Sequence, residues 1–299
     1  MLDRNHTISG FRMRASQSNF TRLMRDRFIQ PTLIAVVSSL VIGACQIPCF
    51  AADTYQRWSQ AYEAGEECFE NEQFEDAEVA LVQALKLSGG GITKQIITLQ
   101  ALADVFHKEK KYDEEIRTVA YLIMSLEQID GYPPLFIGAL YLRVSSVLYD
   151  KNELEDALQF ATVSTSLMKE YCGSKSPNLA SALNNQAWIE YKVGQVKEAE
   201  RNFLKSLRIL EKAVGTQDFH YGMVAHNLAD VYDDTDQVRK SLKWNRKAKE
   251  VLAQYPGTDE IVRHLNERYN VLTDRVQNLH RRHSKTDTLS RQHRGEIEF

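Results

Sequence analysis

Small residues recur along the chain at a nearly fixed interval, each within a stretch where apolar positions are spaced three and four apart. They are Gly65, Ala103, Ser145, Ala187 and Ala229, at intervals of 38, 42, 42 and 42 residues. An apolar residue stands nine positions after each of them: Phe74, Tyr112, Leu154, Val196 and Val238. Three positions later stand Ala77, Glu115, Ala157, Ala199 and Ser241. A fixed period with fixed chemistry predicts one structural unit repeated five times.

The fourth unit shows what each repeat contains. Leu179, Leu183 and Ala187 follow one another four positions apart, which places them on one face of a helix. Gly194 follows, as glycine does just beyond a helix C-terminus. A second helix is predicted by the apolar series Val196, Ala199, Phe203, Leu207 and Leu210. Because one such pair cannot bury its own apolar face, we expect the pairs to stack into a solenoid.

This pattern resembles the tetratricopeptide repeat, and the 42-residue period resembles its kinesin-light-chain subclass, which is also widespread in bacterial proteins. The matching sequences are LNNQAWIEYKVGQVKEAERNFLKSLRILEKAVGTQ (residues 183–217) and HNLADVYDDTDQVRKSLKWNRKAKEVL (residues 226–252), within a resemblance over roughly residues 58–252. It implies an all-α fold, a right-handed α-α superhelix of about five helix pairs with a C-terminal capping helix. Polar residues depart from the family pattern at three positions: Glu115, Gln186 and Glu190.

The pattern divides the chain beyond its head into three parts. We expect the solenoid over residues 53–257 and one further helix over residues 258–283, where apolar residues again alternate at four and three positions. That helix is expected to cap the last repeat, although the same apolar seam would suit a coiled coil between two chains. Residues 284–299 lack an apolar period and are expected to form a disordered polar tail.

Residues 1–52 combine a basic head with an uncharged stretch. No charged residue occurs from Phe28 to Ala52, and the apolar series TLIAVVSSLVIGA (residues 32–44) has the length of a signal-peptide core. We therefore expect an exported protein, periplasmic or secreted, that starts at Met1, Met13 or Met24. Two alternatives stay open. Cys45 closes a sequence that resembles a bacterial lipobox and would be lipidated, or residues 28–52 would stay as a single-pass membrane anchor.

Composition narrows the range of functions. The chain has 37 Lys and Arg against 40 Asp and Glu, a net charge of −3, which gives no general case for nucleic-acid binding. The sequence contains no phosphate-binding glycine loop and no GxSxG, HExxH or CxxC motif. A catalytic domain needs roughly 100 residues of its own, more than the segments outside the repeats offer. We therefore expect no enzyme, no cofactor, no metal site and no nucleic-acid partner.

Stacked helix pairs line their concave side with the first helix of each pair. In the fourth and fifth units the inner face of these helices mixes amide, aromatic, imidazole and acidic side chains: Asn184, Asn185, Trp188, Tyr191, His226, Asn227, Asp230 and Asp233. The family resemblance implies that Asn185 and Asn227 hold a peptide backbone. The acidic residues favour a ligand with Lys or Arg beside an apolar side chain.

The sequence therefore predicts a non-catalytic scaffold that binds a protein or peptide segment in this concave groove. A second hypothesis is a structural scaffold held at a membrane by residues 28–52 or by a lipid on Cys45. A third is an accessory arm of an enzyme complex.

Overall fold

The computed structural model describes residues 51–89, 91–129 and 131–295, and the side chains of residues 54–277 within those ranges. This part of the chain contains eleven α-helices and no strand, which confirms the expected all-α class. Residues 1–50 of the predicted signal segment, with its apolar series and the candidate lipidation site Cys45, lie outside the described residues. The helices are α1 Ala51–Glu70, α2 Phe74–Leu87, α3 Ile92–Lys108, α4 Tyr112–Glu127, α5 Pro134–Asp150, α6 Leu154–Cys172, α7 Pro177–Lys192, α8 Val196–Ala213, α9 Phe219–Asp234, α10 Val238–Leu252 and α11 Asp259–Gly295.

The helices form two compact units that divide between Glu153 and Leu154. In unit 1, each of the helices α1 to α4 packs against the next helix along the chain. In unit 2, the helices α6 to α11 do the same. Packing between consecutive helices is the arrangement of a repeat array, in which each element contacts its neighbours. We call α1, α3, α5, α7 and α9 the first helices and α2, α4, α6, α8 and α10 the second helices.

The recurring small residues lie buried among packed helices. The series predicted from the sequence is fully buried on the first helices, at Ala103, Ser145, Ala187 and Ala229, and on the second helices, at Ala77, Ala157, Ala199 and Ser241. At Gly65 even a methyl group would not fit, because an added Cβ would lie 2.6 Å from Cγ of the fully buried Leu81. The sequence period therefore marks positions of close helix contact.

The turn after each first helix has the same backbone geometry in all five pairs. One residue adopts a positive φ in each turn: Glu72, Lys110, Asn152, Gly194 and Asp236. The following amide donates to a carbonyl five residues back, as the Gln195 N–H does to the Glu190 oxygen over 2.8 Å. This is the Schellman ending of a helix, for which glycine is the least strained residue. Gly194 confirms the predicted helix end, and four non-glycine residues adopt the same conformation.

Helix α11 packs against α10 at the end of unit 2. Leu265 and Leu272, seven residues apart, are fully buried, and Leu265 joins the core of the last repeats. The helix continues to Gly295 and so includes residues 284–295, which differs from the predicted tail. Those residues have no apolar period, but an existing helix can be extended without the cost of a new nucleus.

Candidate functional site

Polar caps set the start of the two first helices that carry the candidate residues, α7 and α9. Ser176 precedes α7, and its Oγ accepts a hydrogen bond from the Asn178 N–H over 3.2 Å. Asp218 precedes α9, and its carboxylate accepts from the His220 N–H over 2.9 Å. Each cap accepts a hydrogen bond from an amide that the helix leaves unpaired, and so it fixes where the helix begins. The start of each helix then determines which side chains of α9 face α7.

Asn184 and Asn227 contact each other across α7 and α9. Nδ2 of Asn227 donates to Oδ1 of Asn184 over 3.0 Å, and Asn185 lies half-buried beside them. The structure thus brings together two of the three asparagines predicted for the groove, Asn184 and Asn227. We call the surface formed by residues 184–192 of α7 and 226–234 of α9 the α7–α9 face.

An aromatic and cationic cluster lies one turn further along α7. The rings of Trp188 and Tyr191 are 5.8 Å apart, and Nζ of Lys192 lies 4.6 Å from the Trp188 ring centre. The Tyr191 hydroxyl donates to Oδ2 of Asp234 over 2.6 Å, which joins α7 to α9. Burial, together with that hydrogen bond, raises the pKa of Tyr191 to about 12, so the hydroxyl remains a donor at neutral pH. The cluster consists of two aromatic rings tilted by 50° to each other, with the cation of Lys192 over both of them.

The acidic residues of α9 are paired with arginines of α11. Arg268 donates from Nη1 to Asp230 and from Nε to Asp233, the latter over 2.8 Å. Arg275 donates to the other oxygen of Asp233 over 2.7 Å and to Asp236 over 2.5 Å. The prediction of uncompensated negative charge at Asp230 and Asp233 is therefore wrong, because both carboxylates are paired with arginines. A carboxylate that loses water when helices pack needs a partner, and here the chain supplies it.

His226 lies mostly buried between α9 and α11. Its ring centre is 6.4 Å from that of His264, and its Nδ1 is 3.5 Å from Oδ1 of Asp230, too long for a strong hydrogen bond. Burial lowers the pKa of His226, and the nearby Asp230 only partly opposes this. Burial also raises the pKa of Asp230. At neutral pH His226 therefore presents an uncharged imidazole to this part of the face.

Two of the departures from the family pattern, Gln186 and Glu190, form one hydrogen-bond network on the side of α7 that packs against α8. Oε1 of Glu190 accepts from Nε2 of Gln186 over 2.8 Å and from Nδ2 of Asn202 on α8 over 2.9 Å. Oε2 of Glu190 accepts from the same Asn202 nitrogen over 2.8 Å. Glu190 is 4% exposed, and burial raises its pKa. The polar replacements at 186 and 190 therefore compensate each other, with Asn202 of α8 as a further donor.

The third departure, Glu115 of α4, has the same explanation in unit 1. Its buried carboxylate accepts from Nε of Arg143 over 2.7 Å and lies 3.0 Å from Nδ1 of His107. Nη1 of Arg143 also donates to Asp104 over 2.6 Å. Arg143 and Asp104 therefore serve a structural ion-pair network that the sequence pattern of any one repeat does not show.

Within the described residues, no three His, Cys, Asp or Glu side chains meet as metal ligands would. No helix in the same part of the chain is long and apolar enough to cross a bilayer. What the α7–α9 face offers is a pair of amides, an aromatic surface and charges that are already paired.

The repeats match a known family. Residues 136–212 match the sequence profile of the tetratricopeptide repeat family. No curated protein has a sequence that matches this chain significantly. Among solved structures, BtubC (BKLC) from P. vanneervenii is similar with a TM-score of 0.60 and 13% sequence identity, over 82% of this chain and 93% of that chain.

Two other crystal structures share the fold. The apo form of RapI matches with a TM-score of 0.58 and 17% identity, over 66% of this chain and 70% of that one. TPR-like repeats of kinesin-light-chain type from Podosopora anserina match with a TM-score of 0.56 and 14% identity, over 66% and 95%. At these identities the likeness concerns the fold alone. Residues 136–212 therefore carry the sequence signature of the tetratricopeptide repeat, and the described chain has the fold of tetratricopeptide repeat proteins.

Proposed function

We propose that this protein is a non-catalytic scaffold that binds a segment of another protein in a groove on the α7–α9 face. The fold supports a role in protein binding, because repeat solenoids use extended surfaces for that purpose. The choice of the α7–α9 face rests on one observation. Trp188, Tyr191 and Lys192 form an aromatic and cationic cluster there, beside the hydrogen-bonded pair Asn184 and Asn227. Aromatic residues of this kind supply most of the binding energy at protein interfaces.

The chemistry of the face describes its ligand. An apolar or aromatic side chain of an extended segment packs on the ring of Trp188. The amides of Asn185 and Asn227 supply both donors and acceptors to the backbone of the segment. A Lys or Arg of the ligand would have to displace Arg268 or Arg275 from Asp230 and Asp233. Basic residues therefore add less affinity than the apolar contact does.

The proposed location is outside the cytoplasm. We infer it from the uncharged residues 28–52, which suit a cleaved export signal. Such a signal would direct the protein to the periplasm or the medium. A lipid on Cys45 or an uncleaved anchor are the alternatives, and either would hold the scaffold at a membrane. Intact mass with N-terminal sequencing separates them, since the mature chain would begin at Ala52, at a lipidated Cys45, or at the start codon.

Site-specific photo-cross-linking in the source cells tests the proposed binding face. A benzophenone amino acid at position 188 of the full chain should cross-link to a protein partner, and mass spectrometry should identify the attached segment. The matched control is position 162 of α6, where Thr162 is exposed in the same unit. Equal cross-linking from both positions, or none from position 188 in a chain with an unchanged helical melt, would contradict the proposal.

A further inference from the structure

The second helices of unit 2 carry a strong positive charge. Helices α8 and α10 together hold eleven Lys and Arg against four Glu, a net charge of +7, whereas α7 and α9 hold one Lys and four carboxylates, a net charge of −3. We call the surface of the eleven residues the α8–α10 face: Lys197, Arg201, Lys205, Arg208, Lys212, Arg239, Lys240, Lys243, Arg246, Lys247 and Lys249.

The basic residues form rows along the two helices. On α8 they recur at steps of four, four, three and four positions, from Lys197 to Lys212, so they share one side of the helix over roughly 22 Å. On α10, Arg239, Lys243 and Lys247 recur at steps of four. The two helices are neighbours at this surface, because Nζ of Lys240 lies 3.1 Å from the Glu200 carboxylate of α8. The rows therefore add to one basic surface.

Most of this charge has no counterion among the side chains that the structure describes. Eight of the eleven residues have no ion-pair partner within the described part of the chain: Lys197, Arg201, Lys205, Arg208, Lys212, Lys243, Lys247 and Lys249. Arg246 has only Glu250, at 3.9 Å between two exposed side chains. A high density of uncompensated like charge destabilises the folded chain and attracts an anionic partner.

The side chains between the cations indicate which kind of anion. No large apolar or aromatic side chain of α8 or α10 is exposed, and Leu204 and Trp244 are both half-buried. A specific protein partner needs such a side chain as an anchor, and a single-stranded nucleic acid needs aromatic rings for stacking. A bilayer with anionic headgroups needs only a cluster of four to eight basic residues within a Debye length of its surface. We propose that the α8–α10 face binds the anionic surface of a phospholipid membrane.

Lysine footprinting tests this on the full chain. The rate of acetylation of each lysine is measured by mass spectrometry with vesicles of pure phosphatidylcholine and with vesicles that contain 30 mol% phosphatidylglycerol. On the anionic vesicles alone, Lys197, Lys205, Lys243 and Lys247 should react at least about fivefold more slowly, and 0.5 M NaCl should abolish the difference. Lys169 and Lys175, exposed in the same unit but outside the face, are the internal controls. Because the readout is local, membrane insertion by residues 28–52 would not imitate it.

A pair of charge-matched variants gives the second readout. Arg201→Gln with Arg208→Gln and Arg246→Gln leaves every lysine probe in place and should weaken the binding that protects them about 100-fold, at about fivefold for each charge. Lys169→Gln with Lys175→Gln and Arg263→Gln removes the same charge elsewhere in the unit and should change it less than threefold. Equal losses in the two variants, or equal protection of the control lysines, would overturn the proposal. So would protection by a DNA duplex or by polyglutamate without protection by the anionic vesicles.

Discussion

Two carboxylates, Glu115 and Glu190, lie buried at positions where the repeat otherwise holds small or aromatic side chains. Each is hydrogen-bonded by residues of its own unit, Glu115 by Arg143 and Glu190 by Gln186 and Asn202. A buried acceptor without a donor costs about 1–3 kcal/mol, so these partners are needed once the carboxylates are there. The residues of each network are therefore coupled. Substitution of one of them leaves a buried polar group of another without its hydrogen bond and lowers the free energy of unfolding.

Replacement of Glu190 by glutamine should make stability less dependent on pH. Burial raises the pKa of Glu190, so its stabilising contribution is fully present below the pKa of the unfolded chain and is lost as the pH rises through the folded value. The melting temperature of Glu190→Gln, relative to wild type, should therefore rise between pH 4 and pH 8. Glu198→Gln, an exposed residue of the neighbouring helix α8, is the control and should give a flat difference. Parallel curves for both variants would show that Glu190 ionises freely in the folded chain.

Larger residues at the buried alanines should destabilise the fourth repeat. Ala187 and Ala199 are fully buried, so a leucine at either position must force the neighbouring helices apart, at about 1–3 kcal/mol. Lys197→Leu, on the exposed side of α8, should change the free energy of unfolding by less than about 0.5 kcal/mol. Urea denaturation measures all three. Equal losses would mean that the helix faces are assigned incorrectly.

At the scale of the elements, helix α11 supplies both apolar cover and charge to the last repeat. Its Leu265 and Leu272 are buried, and its Arg268 and Arg275 neutralise three carboxylates of the helix pair before it. The apolar period predicted the cap, because that signal is local. The ion pairs were missed because Asp230 and Arg268 lie 38 residues apart, one in the fifth repeat and the other in the helix that follows it. A signal did exist, since Arg268 and Arg275 are seven residues apart and share a helix face.

Loss of Arg268 should weaken the attachment of α11. Asp230 and Asp233 are about 20% exposed, between a surface pair and a buried one, so Arg268→Gln should cost about 1–2 kcal/mol of unfolding free energy. Arg263, which is 71% exposed and 3.6 Å from Glu260, should tolerate the same replacement. Denaturation at low and high salt checks both variants. A cost as small for Arg268 as for Arg263 would mean that apolar contacts alone hold the helix.

At the scale of the molecule, the sequence predicted the repeat, the helix pairs and the turn at Gly194, because all three depend on contacts within about forty residues. The placement of Asn184 against Asn227 was also within reach, since the two residues occupy neighbouring positions of consecutive repeats. The ionisation and pairing of the site residues could not be predicted from the sequence. Arg268 of α11 pairs with Asp230 and Asp233, and burial keeps His226 uncharged. The spacing of residues on a helix face predicts which side chains lie close together, but not which of them form ion pairs with another helix.

The central claim is that the α7–α9 face binds a protein segment through Trp188. The most direct test is a calorimetric titration of the segment found by cross-linking, prepared as a synthetic peptide, against the wild-type chain and Trp188→Ala. An aromatic hot spot predicts a loss of about 2 kcal/mol or more, roughly 30-fold in Kd, with an unchanged helical melt and with full affinity for the control Thr162→Ala. Equal affinity of the wild type and Trp188→Ala, both folded, would contradict the claim and place the binding site elsewhere on the protein.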